Sequence, residues 1–242
     1  MSIKRFVPNA ITMGNLLSGC IAVLFAVNNQ MEYAAVFVAL GIFFDFFDGF
    51  FARLFKVQSE IGLQLDSLAD MVTSGLVPGI VMFHLFNLTG PDWLEFGSEG
   101  LLGLELNSLL PFFGLFITLA SAYRLAVFNI ATNQTDSFIG LPTPANTLLI
   151  LSLPLIMEFQ NSDIMNAIIL NKWFLVGITL VSCYLLNANI KLLAIKFKNW
   201  GFKDNAARYM LIILAVVLLV VFQFAAVPLI IITYIIISLL NK

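Results

Sequence analysis

Long apolar stretches separated by short polar segments dominate the chain. Six of them are predicted to be membrane-crossing helices, because about 20 apolar residues in a helix span the hydrocarbon core of a bilayer. They cover about residues 11–28, 32–53, 63–87, 108–129, 143–159 and 166–188. A last apolar tract, residues 209–240, is too long for one span, and Gln223 and Pro228 predict a tight hairpin within it. The pattern therefore predicts about eight transmembrane helices.

The composition strengthens this interpretation. Hydrophobic residues make up 60% of the 242 positions and charged residues only 11%, which lies far from the composition of soluble globular domains. We predict an all-α integral membrane protein, a bundle of about eight transmembrane helices forming one domain over residues 1–242. Within it, residues 1–10 are predicted to be a basic interfacial lead-in, and residues 189–208 a basic cytoplasmic connector.

The basic residues sort by side of the membrane. With eight spans, eleven of the twelve lysines and arginines fall on one side and only Lys172 falls on the other. Lysine and arginine are enriched in cytoplasmic loops. We therefore expect the protein in the cell (inner) membrane, with both termini in the cytoplasm and the acidic cluster described next lining a cavity that faces the cytoplasm.

Four aspartates stand out in this apolar chain. Asp45 and Asp48 lie near the end of the second predicted span, and Asp66 and Asp70 lie near the start of the third. Each pair is spaced three or four residues apart, so its members share one face of a helix. A short polar segment joins the two spans, which predicts two antiparallel helices with their acidic faces turned together.

Carboxylates in this setting need partners. A charged aspartate at mid-membrane costs about 2.5–3.5 kcal/mol on insertion scales, and neighbouring carboxylates repel one another. Salt bridges within the bundle could offset these costs, but too few basic residues lie nearby. Divalent cations with a preference for oxygen ligands, Mg²⁺ or Mn²⁺, offset both. Small residues on the same faces leave room for a ligand, and the neighbouring Arg53 suits a phosphate. The residues thus predict a metal-dependent site for a phosphate-bearing molecule.

The same stretch resembles a family signature. The pattern D-x2-D-G-x2-A-R-x8-G-x3-D-x3-D of the CDP-alcohol phosphotransferases is matched at every fixed position, by Asp45, Asp48, Gly49, Ala52, Arg53, Gly62, Asp66 and Asp70. Four weaker motifs resemble the branch of that family whose acceptor is serine, and one of them is the connector N-I-K-L-L-A-I-K-F-K-N-W from Asn189 to Trp200. The other three are P-N-A-I-T-M-G-N-L-L-S-G from Pro8 to Gly19, R-L-A-x-F-N from Arg124 to Asn129, and G-L-P-x-P-A from Gly140 to Ala145.

The resemblance implies a reaction and a set of site residues. The reaction moves a phosphatidyl group from CDP-diacylglycerol to an alcohol, here L-serine, and releases CMP by direct attack. One or two divalent ions, with two expected, would be held by Asp45, Asp48, Asp66 and Asp70, and Asp70 would also act as the general base. The expected nucleotide and phosphate contacts are Gly49, Ala52, Arg53, Gly62, Asn9 and Thr12. The expected acceptor contacts are Arg124 and Asn129.

The resemblance also implies a homodimer in a membrane-lipid setting, and no nucleic-acid partner is expected. Two alternatives stay open. The acceptor could be glycerol phosphate, inositol or inositol phosphate, although a phosphorylated acceptor would need more basic residues around the cavity than Arg124 supplies. The protein could also be a cation carrier, since intramembrane carboxylates mark transport paths as well.

Overall fold

The computed structural model describes residues 3–89, 109–130, 138–193 and 201–240, and nearly all of these are helical. The helices are α1 (Ile3–Val27), α2 (Met31–Leu54), α3 (Glu60–Asp70), α4 (Val77–Leu88), α5 (Phe116–Ile130), α6 (Thr143–Phe159), α7 (Asp163–Ile169), α8 (Lys172–Asn187), α9 (Phe202–Phe222) and α10 (Ala226–Leu240). Two short strands, β1 (Phe138–Ile139) and β2 (Lys191–Leu192), pair antiparallel. The predicted α-helical class is confirmed apart from this small ribbon.

Three non-standard helical turns connect these elements. A π-helical turn, Met71–Leu76, joins α3 to α4 as one continuous rod. A 3₁₀ turn, Leu110–Leu115, precedes α5, and a second, Gln223–Ala225, separates α9 from α10. The π turn begins directly after Asp70, the last acidic residue of the signature.

The structure supports fewer membrane spans than the eight predicted, if length and apolarity alone are counted. Five helical segments of the described chain qualify, and the α7–α8 pair, bent by 62°, adds a sixth if it is one span. Helix α6 has only 17 residues, and the tract 205–240 counts once although a break divides it. A mostly helical chain with five or six apolar helices able to cross a membrane is therefore shown, and a count of eight stays a prediction.

The C-terminal tract breaks at Gln223, where the sequence predicts a hairpin. Gln223 has a φ of 50°, a left-handed value that a non-glycine residue adopts at a cost. Gln160, just after α6, holds both sides of the break. Its Nε2 donates to the Phe222 carbonyl at 3.0 Å, and its Oε1 accepts from the Ala225 amide at 3.0 Å.

The other end of α10 is anchored at the β ribbon. The Tyr234 hydroxyl donates to the Leu193 carbonyl at 3.0 Å, and the Leu193 amide donates to Ser238 Oγ at 3.1 Å. Because β1 leads into α6 and pairs with β2, the two anchors lie at opposite ends of α6. Helix α10 therefore runs antiparallel to α6.

Helix α1 is the element that positions the site, because it packs along α2 and also contacts α3 and the π turn. Its buried face is polar at the start, with Thr12 and Asn15, and small and apolar further on, with Ala22 and Ala26. Small side chains let helices approach closely. Residues 3–10 belong to this same helix, which continues without a break into the first predicted span, and the interfacial lead-in over residues 1–10 stays a prediction.

Candidate active site

A tight reversal between α2 and α3 brings the acidic residues together. Helix α2 ends at Leu54, and Lys56 takes a left-handed φ of 53°, which turns the chain. Ser59 then caps α3, because its Oγ accepts from the Gly62 amide at 3.1 Å. A serine in this position satisfies one of the free amides at the start of a helix. The polar segment predicted as a short loop is thus a capped turn.

Three of the four predicted metal ligands lie side by side. One carboxylate oxygen from each of Asp45, Asp48 and Asp66 falls within 4.8 Å of the others. Asp48 is only 6% exposed, and the buried Oδ1 of Asp66 has no hydrogen-bond partner. Asp70 stands outside this group of three. The acidic faces of α2 and α3 therefore meet as the spacing predicts, but as a trio with a fourth member beside it.

The trio fits a hard divalent cation. Oxygen is the ligand such ions prefer, and the three residues offer only oxygen. A buried carboxylate oxygen without a partner is costly, and adjacent like charges add to the cost. A bound cation would remove both costs at once.

Helix α1 contributes neutral donors to the acidic residues. Thr12 Oγ1 donates a short hydrogen bond to Asp48 Oδ2. One turn further on, Asn15 Nδ2 donates to Asp70 Oδ1 at 3.3 Å. Thr73, in the π turn, donates to the other end of the same amide, Asn15 Oδ1, at 2.8 Å. Neither Asn15 nor Thr73 is among the predicted site residues, although a polar residue at every third position along the start of α1 is a usable signal.

A cavity of about 460 Å³ opens beside the trio. Its walls include all six of the residues predicted to contact nucleotide and phosphates, namely Asn9, Thr12, Gly49, Ala52, Arg53 and Gly62. Asp48 and Asp66 also line it. At Gly49 an added Cβ would find its nearest neighbour 3.8 Å away, at Arg53 Nη2. The helix backbone is thus open to the cavity at this position, and Arg53 is the only basic residue among those that line it.

Arg124, predicted to bind the acceptor, is held elsewhere. Its Nη1 donates to the Ile139 carbonyl at 2.8 Å and to the Leu186 carbonyl at 2.6 Å. Gly140 lies between them with a φ of 71°, and a Cβ there would come within 2.7 Å of the Leu186 carbonyl oxygen. Arg124 is not among the residues lining the cavity. The structure shows it as a clamp that ties α5 to β1 and to the end of α8.

Asn129, the other predicted acceptor contact, lies against α3. Its Oδ1 accepts from Ser67 Oγ at 2.8 Å, and its Nδ2 donates to Gln64 Oε1 at 3.1 Å. Ser67 follows Asp66 directly, so Asn129 braces the helix that carries one of the metal-ligand candidates. It does not line the cavity either.

These features define a carboxylate-rich site on three helices that could hold a metal ion beside a cavity, and comparison with known proteins places the chain in a family. The profile of the family described as CDP-alcohol phosphatidyltransferase matches residues 5–180. The match includes α1, α2 and α3, which supply the acidic residues and their donors. The chain belongs to the CDP-alcohol phosphatidyltransferase family, a family of phosphotransferases, and the resemblance drawn from the signature is confirmed.

Several relatives share one printed name, CDP-diacylglycerol–serine O-phosphatidyltransferase. The chain is 31% identical to the one from Bacillus subtilis over 144 residues, which cover 58% of this chain and 70% of that protein. It is 30% identical to the one from Methanocaldococcus jannaschii over 183 residues, covering 75% and 74%. With the one from Helicobacter pylori strain J99 it is 32% identical over 145 residues, covering 59% of this chain but only 54% of that protein.

Proposed function

We propose that this protein transfers the phosphatidyl group of CDP-diacylglycerol to L-serine and releases CMP. The observation that carries the proposal is the carboxylate trio at the wall of a cavity lined by the six predicted nucleotide contacts. The printed names of the relatives support serine as the acceptor. Arg53 is the one basic side chain lining the cavity, which favours serine over an acceptor that carries its own phosphate.

Different side chains would bind the metal ions and the phosphates. Asp45, Asp48 and Asp66 would hold one or two ions of Mg²⁺ or Mn²⁺, with Asp70 able to share in the ligation. Bound there, a divalent ion neutralises charge on the pyrophosphate and on the departing CMP. Arg53 reaches a phosphate from the rim of the cavity.

The neutral lining of the cavity receives the nucleotide. Small residues, Gly49, Ala52 and Gly62, let the cytidine and its phosphates lie close to the helices. Asn9 and Thr12 offer it polar contacts from the facing side of α1.

Asp70 supplies the base. The serine hydroxyl oxygen attacks the phosphorus that carries the diacylglycerol, the bond from that phosphorus to CMP breaks, and the hydroxyl proton passes to Asp70. Asp70 suits this role because it stands beside the trio rather than within it. Its Oδ1 is engaged by Asn15, so we assign the proton to Oδ2. No covalent enzyme intermediate is needed.

The distribution of basic residues and the family resemblance support a membrane location, an orientation and an oligomeric state. We propose a single transmembrane domain in the cell membrane, with both termini and the cavity on the cytoplasmic side, because basic residues accumulate there. Arg53 and Lys56, at the turn that closes the cavity, fit this orientation. A homodimer is the assembly that the family resemblance implies.

The test is CMP release by the purified protein from CDP-diacylglycerol with Mg²⁺ or Mn²⁺. Serine, inositol, glycerol phosphate and no alcohol are compared, each with and without a chelator. We expect release that requires serine and stops with chelator, and a loss of at least about 10²-fold in Asp70→Asn, the usual scale for a general base. Release with another alcohol alone would keep the family chemistry and reject serine. Ion flux into liposomes without CMP release would support a cation carrier.

A further inference from the structure

The polar face of α1 includes a residue that reaches Asp70 without reaching the cavity. Asn15 is completely buried, and Thr73 is 1% exposed. Neither lines the cavity where we place the nucleotide. Resting on the proposed function, we propose that Asn15 is a positioning residue for Asp70 and that the Thr73 hydroxyl fixes the orientation of the Asn15 amide.

The hydrogen bonds define which end of the amide faces the carboxylate. An asparagine side chain has a donor end and an acceptor end. Thr73 Oγ1 donates to the acceptor end at 2.8 Å, so the donor end points at Asp70 Oδ1, 3.3 Å away. The reversed amide would place its oxygen against a carboxylate oxygen and leave a buried acceptor unpaired, which is unfavourable. The chain Thr73–Asn15–Asp70 thus has one favoured direction.

Two glycines hold this chain of hydrogen bonds in place. A Cβ on Gly41 of α2 would lie 2.6 Å from Thr73 Cγ2 and 2.9 Å from Asn15 Oδ1. A Cβ on Gly19 of α1 would lie 3.0 Å from the Thr73 backbone nitrogen. Backbone on two sides therefore confines Thr73, and the backbone at Gly41 also confines Asn15. Thr73 itself belongs to the π turn that follows Asp70, and such turns occur frequently at functional sites.

The arrangement predicts an effect on turnover rather than on substrate binding. Asn15 contacts the base but lies outside the cavity lining, so its loss should leave CDP-diacylglycerol binding intact. A base displaced by a fraction of an ångström is aimed poorly at the acceptor hydroxyl, and misplacement of about 1 Å can cost about 10²-fold in rate. We expect kcat to fall about 10- to 100-fold while KM for both substrates stays within about twofold.

The experiment compares two substitutions at Thr73 with a matched control. Thr73→Val keeps the shape but removes the hydroxyl, and Thr73→Ser keeps the hydroxyl. Thr179→Val is the control, because Thr179 is equally buried but its hydroxyl bonds only the Leu175 carbonyl of its own helix, at 2.7 Å. We expect Thr73→Val to lose turnover, and Thr73→Ser and Thr179→Val to keep turnover within about threefold of the parent protein. Asn15→Leu should match or exceed the loss in Thr73→Val.

Each outcome bears on the inference. Rates are measured as CMP release with whichever alcohol the parent protein uses, and CMP binding is measured separately by calorimetry. Unchanged kcat in folded Thr73→Val would overturn the inference, and so would equal losses in Thr73→Val and Thr73→Ser, or a change confined to KM. If Asn15→Leu fails to fold, the comparison of Thr73→Val with Thr73→Ser tests the inference by itself. Lack of serine-dependent release by the parent protein would instead count against the proposed acceptor.

Discussion

Replacing Arg124 by glutamine separates two roles for this residue. The sequence motif predicts an acceptor contact, whereas the structure shows the guanidinium bonded to main-chain carbonyls of residues 139 and 186. An acceptor contact would affect the KM for the alcohol. A clamp would affect the free energy of unfolding, since its loss leaves the carbonyls of Ile139 in β1 and Leu186 in α8 without their donor.

The size of the clamp effect follows from its two short hydrogen bonds. Bonds that involve a charged partner contribute about 1.5–3 kcal/mol each, so two contribute about 3–6 kcal/mol. Glutamine can restore one neutral bond, worth about 1 kcal/mol. The free energy of unfolding should therefore fall by about 2–5 kcal/mol in Arg124→Gln. The third contact, from Nη2 to the Gly140 carbonyl at 3.5 Å, is too long to add much.

Thermal unfolding in detergent and steady-state kinetics measure the two effects side by side. Arg53→Gln is the matched control, because Arg53 is an exposed arginine that lines the cavity. We expect it to unfold like the parent protein and to raise the KM for CDP-diacylglycerol. Arg124→Gln should unfold at a lower temperature with an unchanged KM for the alcohol. Parent-like unfolding with a raised KM for the alcohol would refute the clamp and restore the acceptor role.

Two further substitutions test the packing and the metal site. Gly41→Ala should lower the free energy of unfolding, because overpacking costs about 1–3 kcal/mol and the gain in helix propensity is at most about 1 kcal/mol. Gly177→Ala is the control, because no atom lies within 4 Å of the new Cβ. It should be neutral or stabilising in the same melting assay. In the parent protein, Mg²⁺ or Mn²⁺ should raise the melting temperature by binding the folded state, and Asp66→Asn should abolish this rise. Glu60→Gln is the control and should keep the rise, because Glu60 lines the same cavity but lies outside the trio. A metal-dependent rise in Asp66→Asn equal to that of the parent protein would contradict the assignment of the trio.

The meeting of Asp45, Asp48 and Asp66 was predictable from local features. Helical spacing places Asp45 and Asp48 on one face of α2, and the few polar residues after Leu54 allow only a tight reversal. Those two facts restrict the geometry enough to bring Asp66 next to them. The cavity lining was predictable in part for the same reason, because four of its six predicted members lie within one turn or two of that reversal, and Asn9 and Thr12 face it from the adjacent helix.

Contacts between distant parts of the chain were not predictable in this way. The bond from Asn15 to Asp70 joins residues 55 positions apart, and it depends on how α1 is rotated about its own axis. That rotation is set by close approaches at Gly19 and Gly41, which a hydropathy pattern does not encode. The partners of Arg124 are main-chain carbonyls, so no side-chain motif could have revealed them.

The number of spans shows a different limit of sequence reasoning. Length and apolarity define a span only when a helix is straight and continuous. Here α6 is short, the α7–α8 pair is bent, and the C-terminal tract is divided at Gln223. The hydrogen bonds of Gln160 lie on both sides of that division, and the anchor of α10 at Leu193 shows that α10 runs antiparallel to α6.

The polar face of α1 explains how the carboxylates can be held in fixed orientations while they keep their negative charge. Lysine or arginine at positions 12 and 15 would pair with Asp48 and Asp70 and compete with a divalent cation for their oxygens. Threonine and asparagine donate hydrogen bonds to the same oxygens but carry no charge, so they orient the carboxylates and leave the negative charge in place. A buried carboxylate cluster without a cation is unfavourable. A cation that binds there relieves this unfavourable free energy, which increases its affinity for the site. We therefore expect substitution of Thr12 or Asn15 by lysine to weaken metal binding more than substitution by alanine.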